Sequence, residues 1–337
     1  MNRTSRRLAV LGTALAGLLT PLLLQPVQAA APVYVALGDS YASGTGTRSY
    51  ISDGTTCQRS TKAYPSLIAA ARGYALNFRA CSGARVSDVT NTQLSALTTA
   101  TTYVTISVGG NDAGFADVLT ECAMPGWMSS CNAAINTAQA YINNTLPTQL
   151  STLYAAIRTR APYATVVVVG YPLVFMGEDC NAFTWFSPDE ESRLNQTADL
   201  LNARTAAVAG SRGFTFADPT SAFVGHAVCD AVEYINGLSS PISESYHPNV
   251  LGHSGGYTPV VSSAVGAALA VTPEVQAASD ASAGDQAALQ AQYADADRNI
   301  EPERFVRPDL TTAEARRAAR RAGIDLDRFI ERSARQR

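Results

Sequence analysis

Four short blocks of the chain hold residue types that perform acyl chemistry when brought together: Ser40 in "GDSYASG", Gly83 in "ACSGARVSD", Asn111 in "VGGND" and His247 in "ESYHPNVLGH". A serine hydroxyl attacks a carbonyl only as a base removes its proton. Histidine, with an ordinary pKa of about 6.5, takes that proton near neutrality and returns it to the leaving alcohol. The tetrahedral intermediate then needs donors aimed at its oxyanion. The backbone amides of Ser40 and Gly83 and the side-chain amide of Asn111 would supply three, and loss of one such donor typically costs roughly 10²- to 10³-fold in rate. Gly83 carries no side chain, so its amide can face a substrate closely, while Gly109 and Gly110 let the backbone turn Asn111 inward. Taken singly, each block has a plainer reading: Ser40 a helix cap, Gly83 a turn residue, Asn111 part of an Asx-turn.

Three histidines compete for the role of base. His226 lies beside Cys229 in a loop, and His253 falls within the last helix, where a structural role is expected. His247 remains. His247 and His253 are six residues apart, which does not put them on one helical face as an i, i+4 metal pair would be, so no metal site is expected.

The blocks sit at the ends of strand-like runs. "VYVAL" (33–37), "ALNFRA" (75–80), "YVTISVG" (103–109), "TVVVVG" (165–170) and "FTFAD" (214–218) alternate with helical stretches at 63–72, 133–160, 188–209 and 251–271. Strand alternating with helix predicts an α/β domain of three layers, with a five-stranded parallel sheet covered on both faces. Such a sheet brings its ligands to the carboxyl ends of the strands. Ser40 directly follows the first.

Residues 1–29 read differently. Arg3, Arg6 and Arg7 precede an apolar run, and "VQA" at 27–29 has the small-x-small pattern of a cleavage site, so a signal peptide and export are expected rather than a transmembrane anchor. A chain with 25 basic and 28 acidic side chains does not offer the basic surface that nucleic acid requires. Six cysteines in an exported chain read as three disulfides, and the sequential pairing Cys57 with Cys81, Cys122 with Cys131, Cys180 with Cys229 is the simplest arrangement. Spacing alone leaves other connectivities open.

The four blocks, in this order beside these strands, resemble those of the SGNH hydrolases, also called GDSL lipases and esterases. The resemblance covers most of residues 33–270, and it is nearest to secreted bacterial lipases and esterases held by three disulfides. It implies a flavodoxin-like α/β/α sandwich and a serine esterase or lipase acting on fatty acyl esters, phospholipids among them, as a monomer without metal or organic cofactor. Carbohydrate O-acetyl esterase and a noncatalytic surface-binding protein on the same fold are the alternatives. The family usually carries an aspartate three residues before the histidine, where this chain has Glu244. Two arrangements are open: the longer Glu244 carboxylate reaches His247, or a backbone carbonyl of the 244–246 turn orients the ring, as in secreted relatives that work with a Ser-His dyad. The carbonyl is the expected one. Asp39 is expected to support the turn.

Apolar residues cluster in "ECAMPGWMSSC" (Met124, Trp127, Met128) and "CNAFTWFSP" (Phe183, Trp185, Phe186), where they would suit an acyl chain or pack a minor core. From 272 to 298 the chain is poor in large apolar residues, which predicts a mobile or weakly helical linker. Thr311 and Glu314 form a capping-box pattern ahead of "ARRAARRAG", with Gly323 as C-cap. The expectation is a solvated, charged helical tail, with docking to anionic lipid or to the main domain as the alternative. A chain ending at Val271 is expected to fold.

Overall fold

The computed structural model describes residues 30–302 and 304–335; the signal peptide read at 1–29 lies outside them. Five parallel strands, β1 (Val33–Gly38), β2 (Ala75–Phe78), β3 (Thr101–Ser107), β4 (Thr165–Val169) and β5 (Thr215–Ala217), form one sheet in the order β2-β1-β3-β4-β5. That is the doubly wound order with its switch point between β1 and β3. Val166–Val169 are all buried although successive side chains point to opposite faces, so both faces of the sheet are covered.

Thirteen α-helices are described, beside short 3-10 and π turns: α1 (Ser40–Ser43), α2 (Tyr64–Arg72), α3 (Val86–Asp88), α4 (Phe115–Cys122), α5 (Cys131–Asn144), α6 (Leu146–Arg160), α7 (Pro188–Ser211), α8 (Thr258–Ala264), α9 (Pro273–Ala281), α10 (Ala283–Ala291), α11 (Ala294–Asp297), α12 (Ala313–Ala322) and α13 (Leu326–Arg335). The run read as helical over 133–160 is two helices, broken where Pro147 cannot donate and takes a first-turn position of α6. α5, α6 and α7 pack together, and α2 packs with α8 and α9. No described helix is long and apolar enough to cross a membrane.

The disulfides join Cys57 to Cys81, Cys122 to Cys131 and Cys180 to Cys229. The first ties the loop after α1 to the loop that carries Gly83, and the second joins the end of α4 to the start of α5.

Residues 272–298 depart from the expected linker. α9 lies on α2, where the Ser279 hydroxyl donates to the Thr61 carbonyl (2.6 Å) and Asp280 accepts from Thr61 (2.6 Å) and Lys62 (2.6 Å). α10 meets β2, with Gln290 bonded to Asn77 and Arg79. At the end of α11, Asp297 is fully buried between Arg59 (2.6 Å) and Arg79 (2.7 Å), both also fully buried. These helices bury Ser279, Gln286, Gln290 and Asp297 instead of an apolar stripe. Hydropathy therefore hides the contact. α12 begins one residue later than its capping pattern implied: Thr312 accepts from the Ala315 amide, while Thr311 donates to Asp309.

Candidate active site

β1 ends at Gly38 because its backbone must lie against that of β3. A Cβ at Gly38, whose φ is +126°, would stand 2.3 Å from the Ser107 carbonyl oxygen. The Gln93 side chain locks this end of the strand, accepting from the Gly38 amide (2.7 Å) and donating to its carbonyl (2.9 Å). Asp39 then caps α1 by accepting from the Tyr41 amide at 3.0 Å. Ser40 is thus the first residue of a helix whose cap is Asp39, and its own hydroxyl is left for other work.

That hydroxyl meets His247 Nε2 at 2.8 Å. On the far side of the ring, Nδ1 lies 2.9 Å from the Ser245 carbonyl oxygen. A carbonyl only accepts, so Nδ1 carries the proton and Nε2 is left as the acceptor facing serine. His247 is buried, and burial lowers its pKa to about 4, against a smaller raising effect of the Ser245 carbonyl. The imidazole is therefore neutral at physiological pH and able to take a proton. Tyr41 supports the arrangement, packing its ring 5.2 Å from the imidazole and donating its hydroxyl to the Tyr246 carbonyl at 2.7 Å.

Glu244 stands elsewhere. Its carboxylate accepts from the Tyr50 hydroxyl (2.6 Å) and from Arg48 Nε (3.2 Å). His226 stacks on Tyr234 and bonds the Val232 carbonyl, and His253 is buried against Tyr64 and Tyr257, so neither faces Ser40.

Gly83 and Asn111 line the same small cavity as Ser40 and His247. Gly83 has φ +85°. Asn111 Nδ2 donates one hydrogen to the Ala84 carbonyl at 3.0 Å, which fixes the amide and leaves its second hydrogen to point elsewhere. One residue that escaped the sequence reading ties two blocks together: the Tyr171 hydroxyl donates to Asp39 at 2.5 Å and accepts from the Gly110 amide at 3.2 Å. Burial pushes Asp39 up to about 7, while the Tyr171 bond opposes it. Tyr171 stands just beyond β4, far in sequence from every block, and no motif marks it.

Residues 36–254 match the family model of the GDSL-like lipases and acylhydrolases. The chain belongs to that family. It is 46% identical over 272 residues to a lipase of Streptomyces rimosus, covering 78% of this chain and 99% of the relative. The crystal structure of the extracellular lipase from Streptomyces rimosus superposes with a TM-score of 0.66 at 46% identity, over 69% of this chain and all of that one. Phospholipase A1 from Streptomyces albidoflavus NA297 gives the same TM-score at 44% identity, over 69% of this chain and 99% of that one. This member of the GDSL-like family is accordingly an ester hydrolase. About three tenths of its length has no counterpart in either solved relative.

The two aromatic loops also find their places in this GDSL-like hydrolase. Phe186 is buried against Phe175 and Tyr246 as core, whereas Trp127 and Trp185 are half-buried and both meet Phe329 of α13, at 5.6 and 5.7 Å between ring centres.

Proposed function

We propose that the protein is a secreted serine esterase of the lipase type, hydrolysing fatty acyl esters, phospholipids among them, through an acyl-Ser40 intermediate. The 2.8 Å contact between Ser40 Oγ and His247 Nε2, with Nδ1 held on a backbone carbonyl, carries this reading. His247 takes the hydroxyl proton as Ser40 Oγ bonds to the ester carbonyl carbon, and the ester oxygen becomes an oxyanion. The Ser40 and Gly83 amides and Asn111 Nδ2 receive that charge. Collapse of the intermediate expels the alcohol, which takes the proton from His247. Water then repeats the sequence on the acyl-serine, with His247 again as base, and the carboxylate leaves. The scheme calls for no metal or organic cofactor.

An acyl chain has a place to go. A cavity of about 70 Å³ beside the site is walled by Phe115, Ile142, Leu194, Ala198 and Leu201 and shares Asn111 and Phe115 with the cavity over Ser40. An apolar wall of this kind binds alkyl chains rather than sugars. The likeness to a phospholipase A1 supports phospholipids among the substrates. Export is supported by the leader pattern at 1–29 and by three disulfides with no free cysteine among the described residues.

Profiling the purified protein against p-nitrophenyl esters of increasing acyl length, phospholipids and acetylated xylan tests the substrate class. Turnover should rise from acetyl to medium or long acyl chains and be abolished by a serine-reactive organophosphate. A preference for acetylated sugar would overturn it.

A further inference from the structure

The catalytic groups are shut away. Ser40 is 4% exposed, Asn111 6% and His247 8%. The cavity they line measures about 10 Å³, roughly the space of a single water and too little for any ester. Phe115, Ala116 and Leu119 of α4 and Ser245 line it too. One wall comes from outside the sheet and its crossover helices. It is Phe305, from the segment between α11 and α12.

This segment crosses the mouth of the site. Ile300 is buried beside the Cys57–Cys81 disulfide and Ala84. The backbone of Glu301 and Pro302 lies directly on the Gly83 turn: a Cβ on Gly83 would come within 2.0 Å of the Glu301 carbonyl oxygen. Phe305 is 5% exposed and packs edge-on against Tyr246 at 5.0 Å, next in sequence to His247. The Val306 amide donates to Thr120 of α4 at 2.9 Å. Leu310 and Arg307 reach Phe183 and Trp185, and Phe329 closes over Trp127 and Trp185.

We propose that residues 300–302 and 304–310, with α13, lie in the groove that binds the lipid ester and act as a built-in competitor for it, so that hydrolysis requires this segment to leave. The surface it covers runs from Gly83 and Ser40 past Thr120 to Phe183, Trp185 and Trp127, apolar surface that the remainder of a lipid ester would use once one acyl chain has entered the cavity beside Phe115. The proposal rests on Ser40 being the nucleophile.

The segment is held more lightly than the anchor that precedes it. Asp297, three residues before it, is fixed by two buried guanidinium groups. Among the contacts described beyond that anchor are hydrogen bonds from the Val306 amide to Thr120 (2.9 Å), from Thr56 to the Ile300 carbonyl (3.5 Å) and from Trp185 Nε1 to Ser333 (3.3 Å), with the ring contacts of Phe305 and Phe329, each worth about 0.5–1.5 kcal/mol. Pro302 and Pro308 have no N–H to add to these. Asp297 is the hinge point from which the rest lifts.

Labelling of Ser40 by a small organophosphate, followed by mass spectrometry, reads the cover directly. Three variants are compared with the full chain: one ending at Asn299, which keeps the Asp297 ion pairs, and full-length Phe305→Ala and Phe329→Asp. Labelling should be about tenfold faster or more in the shortened chain, since only the uncovered fraction reacts, and faster in both point variants. The gain in kcat/KM should be larger for twelve-carbon than for four-carbon p-nitrophenyl esters. A synthetic peptide spanning 299–312 should inhibit the shortened chain competitively. Equal labelling of Ser40 in the full chain and in any folded variant would overturn the cover while leaving Ser40 as nucleophile. Absence of label on Ser40 in every chain would overturn that reading and the cover with it.

Discussion

Tyr50 gives its hydroxyl proton to Glu244 at 2.6 Å, and that bond, with Arg48 Nε on the other oxygen, takes the carboxylate nearest in sequence to His247 away from the ring. The Ser245 carbonyl holds Nδ1 in its place. Glu244→Gln leaves Tyr50 an acceptor and should keep kcat within about tenfold, whereas loss of a working triad carboxylate costs on the order of 10⁴-fold. Glu244→Ala should also keep kcat within that range, but it leaves the half-buried Tyr50 hydroxyl, which still accepts from the Gly46 amide, with no acceptor for its proton, and should lower stability by about 1 kcal/mol, read as a fall in Tm. A collapse of kcat in both variants with folding intact would mean that the carboxylate orients the base after all.

Asn111 is held by the Ala84 carbonyl with one hydrogen to spare, which is the geometry of an oxyanion donor. Asn111→Ala should therefore lower kcat by roughly 10²- to 10³-fold with KM changed much less, because the interaction forms only as charge develops. A rise in KM at constant kcat would assign Asn111 to ground-state binding instead.

The pH dependence follows from burial. In the proposed reaction His247 works as the neutral base, and burial lowers its pKa from 6.5 to about 4. Activity should persist as pH falls below 6.5 and disappear only as the folded-state pKa is passed. The acid limb of kcat/KM should lie well under 6.5 in the full chain and move upward in the chain ending at Asn299, where water reaches the ring. Burial of the two rings also weakens the fold in acid: the unfolded chain protonates His247 and His253 below about 6.5, while the folded one resists to about 4 and about 3, whereas Asp39 and Glu191, pushed up to about 7 by burial, act in the opposite sense over the same window. His253→Gln should therefore lose less Tm, or gain more, than the parent chain between neutrality and pH 4. An identical pH dependence of Tm in both chains would contradict the burial of this ring.

Asp297 faces Arg59 and Arg79 where all three are inaccessible to water. Removing one partner of a buried charge cluster typically costs about 3–5 kcal/mol. Asp297→Ala should lose stability of that order in urea titration, and a chain ending at Val271 should lose more, since α9 and α10 go with it. A chain ending at Val271 that matches the full chain in stability would instead favour a domain that closes there. Undiminished stability in Asp297→Ala would show the cluster to be dispensable.

The parts legible in the sequence were those with local signatures. Val166–Val169 announces a strand buried on both faces, and Gly38 announces the end of β1, because each pattern reports a constraint within a few residues. The four blocks were legible because three follow strand ends that converge on one edge of a doubly wound sheet and the fourth, holding His247, precedes the helical segment that returns to it. Tyr171, Gln93 and Tyr41 were not, since each works through hydrogen bonds to residues far away in sequence and any aromatic or amide residue looks alike in a row of letters. The C-terminal region was misread for a physical reason. Its helices are fastened by Ser279, Gln290 and Asp297 meeting polar partners, an interface to which hydrophobic periodicity is blind. Phe305, one aromatic between prolines and arginines, gave no sign that it would end beside Ser40.

In the proposed reaction Ser40 and His247 act as one nucleophilic unit. Steady-state hydrolysis of a soluble short-chain ester by Ser40→Ala, His247→Ala and the double variant, each checked for its disulfides and Tm, tests it most directly. Each single variant should lose on the order of 10⁶-fold in kcat, and the double variant should be scarcely worse than either, because removing one member already disables the other. Near-wild-type turnover by folded Ser40→Ala, or losses that multiply in the double variant, would contradict it.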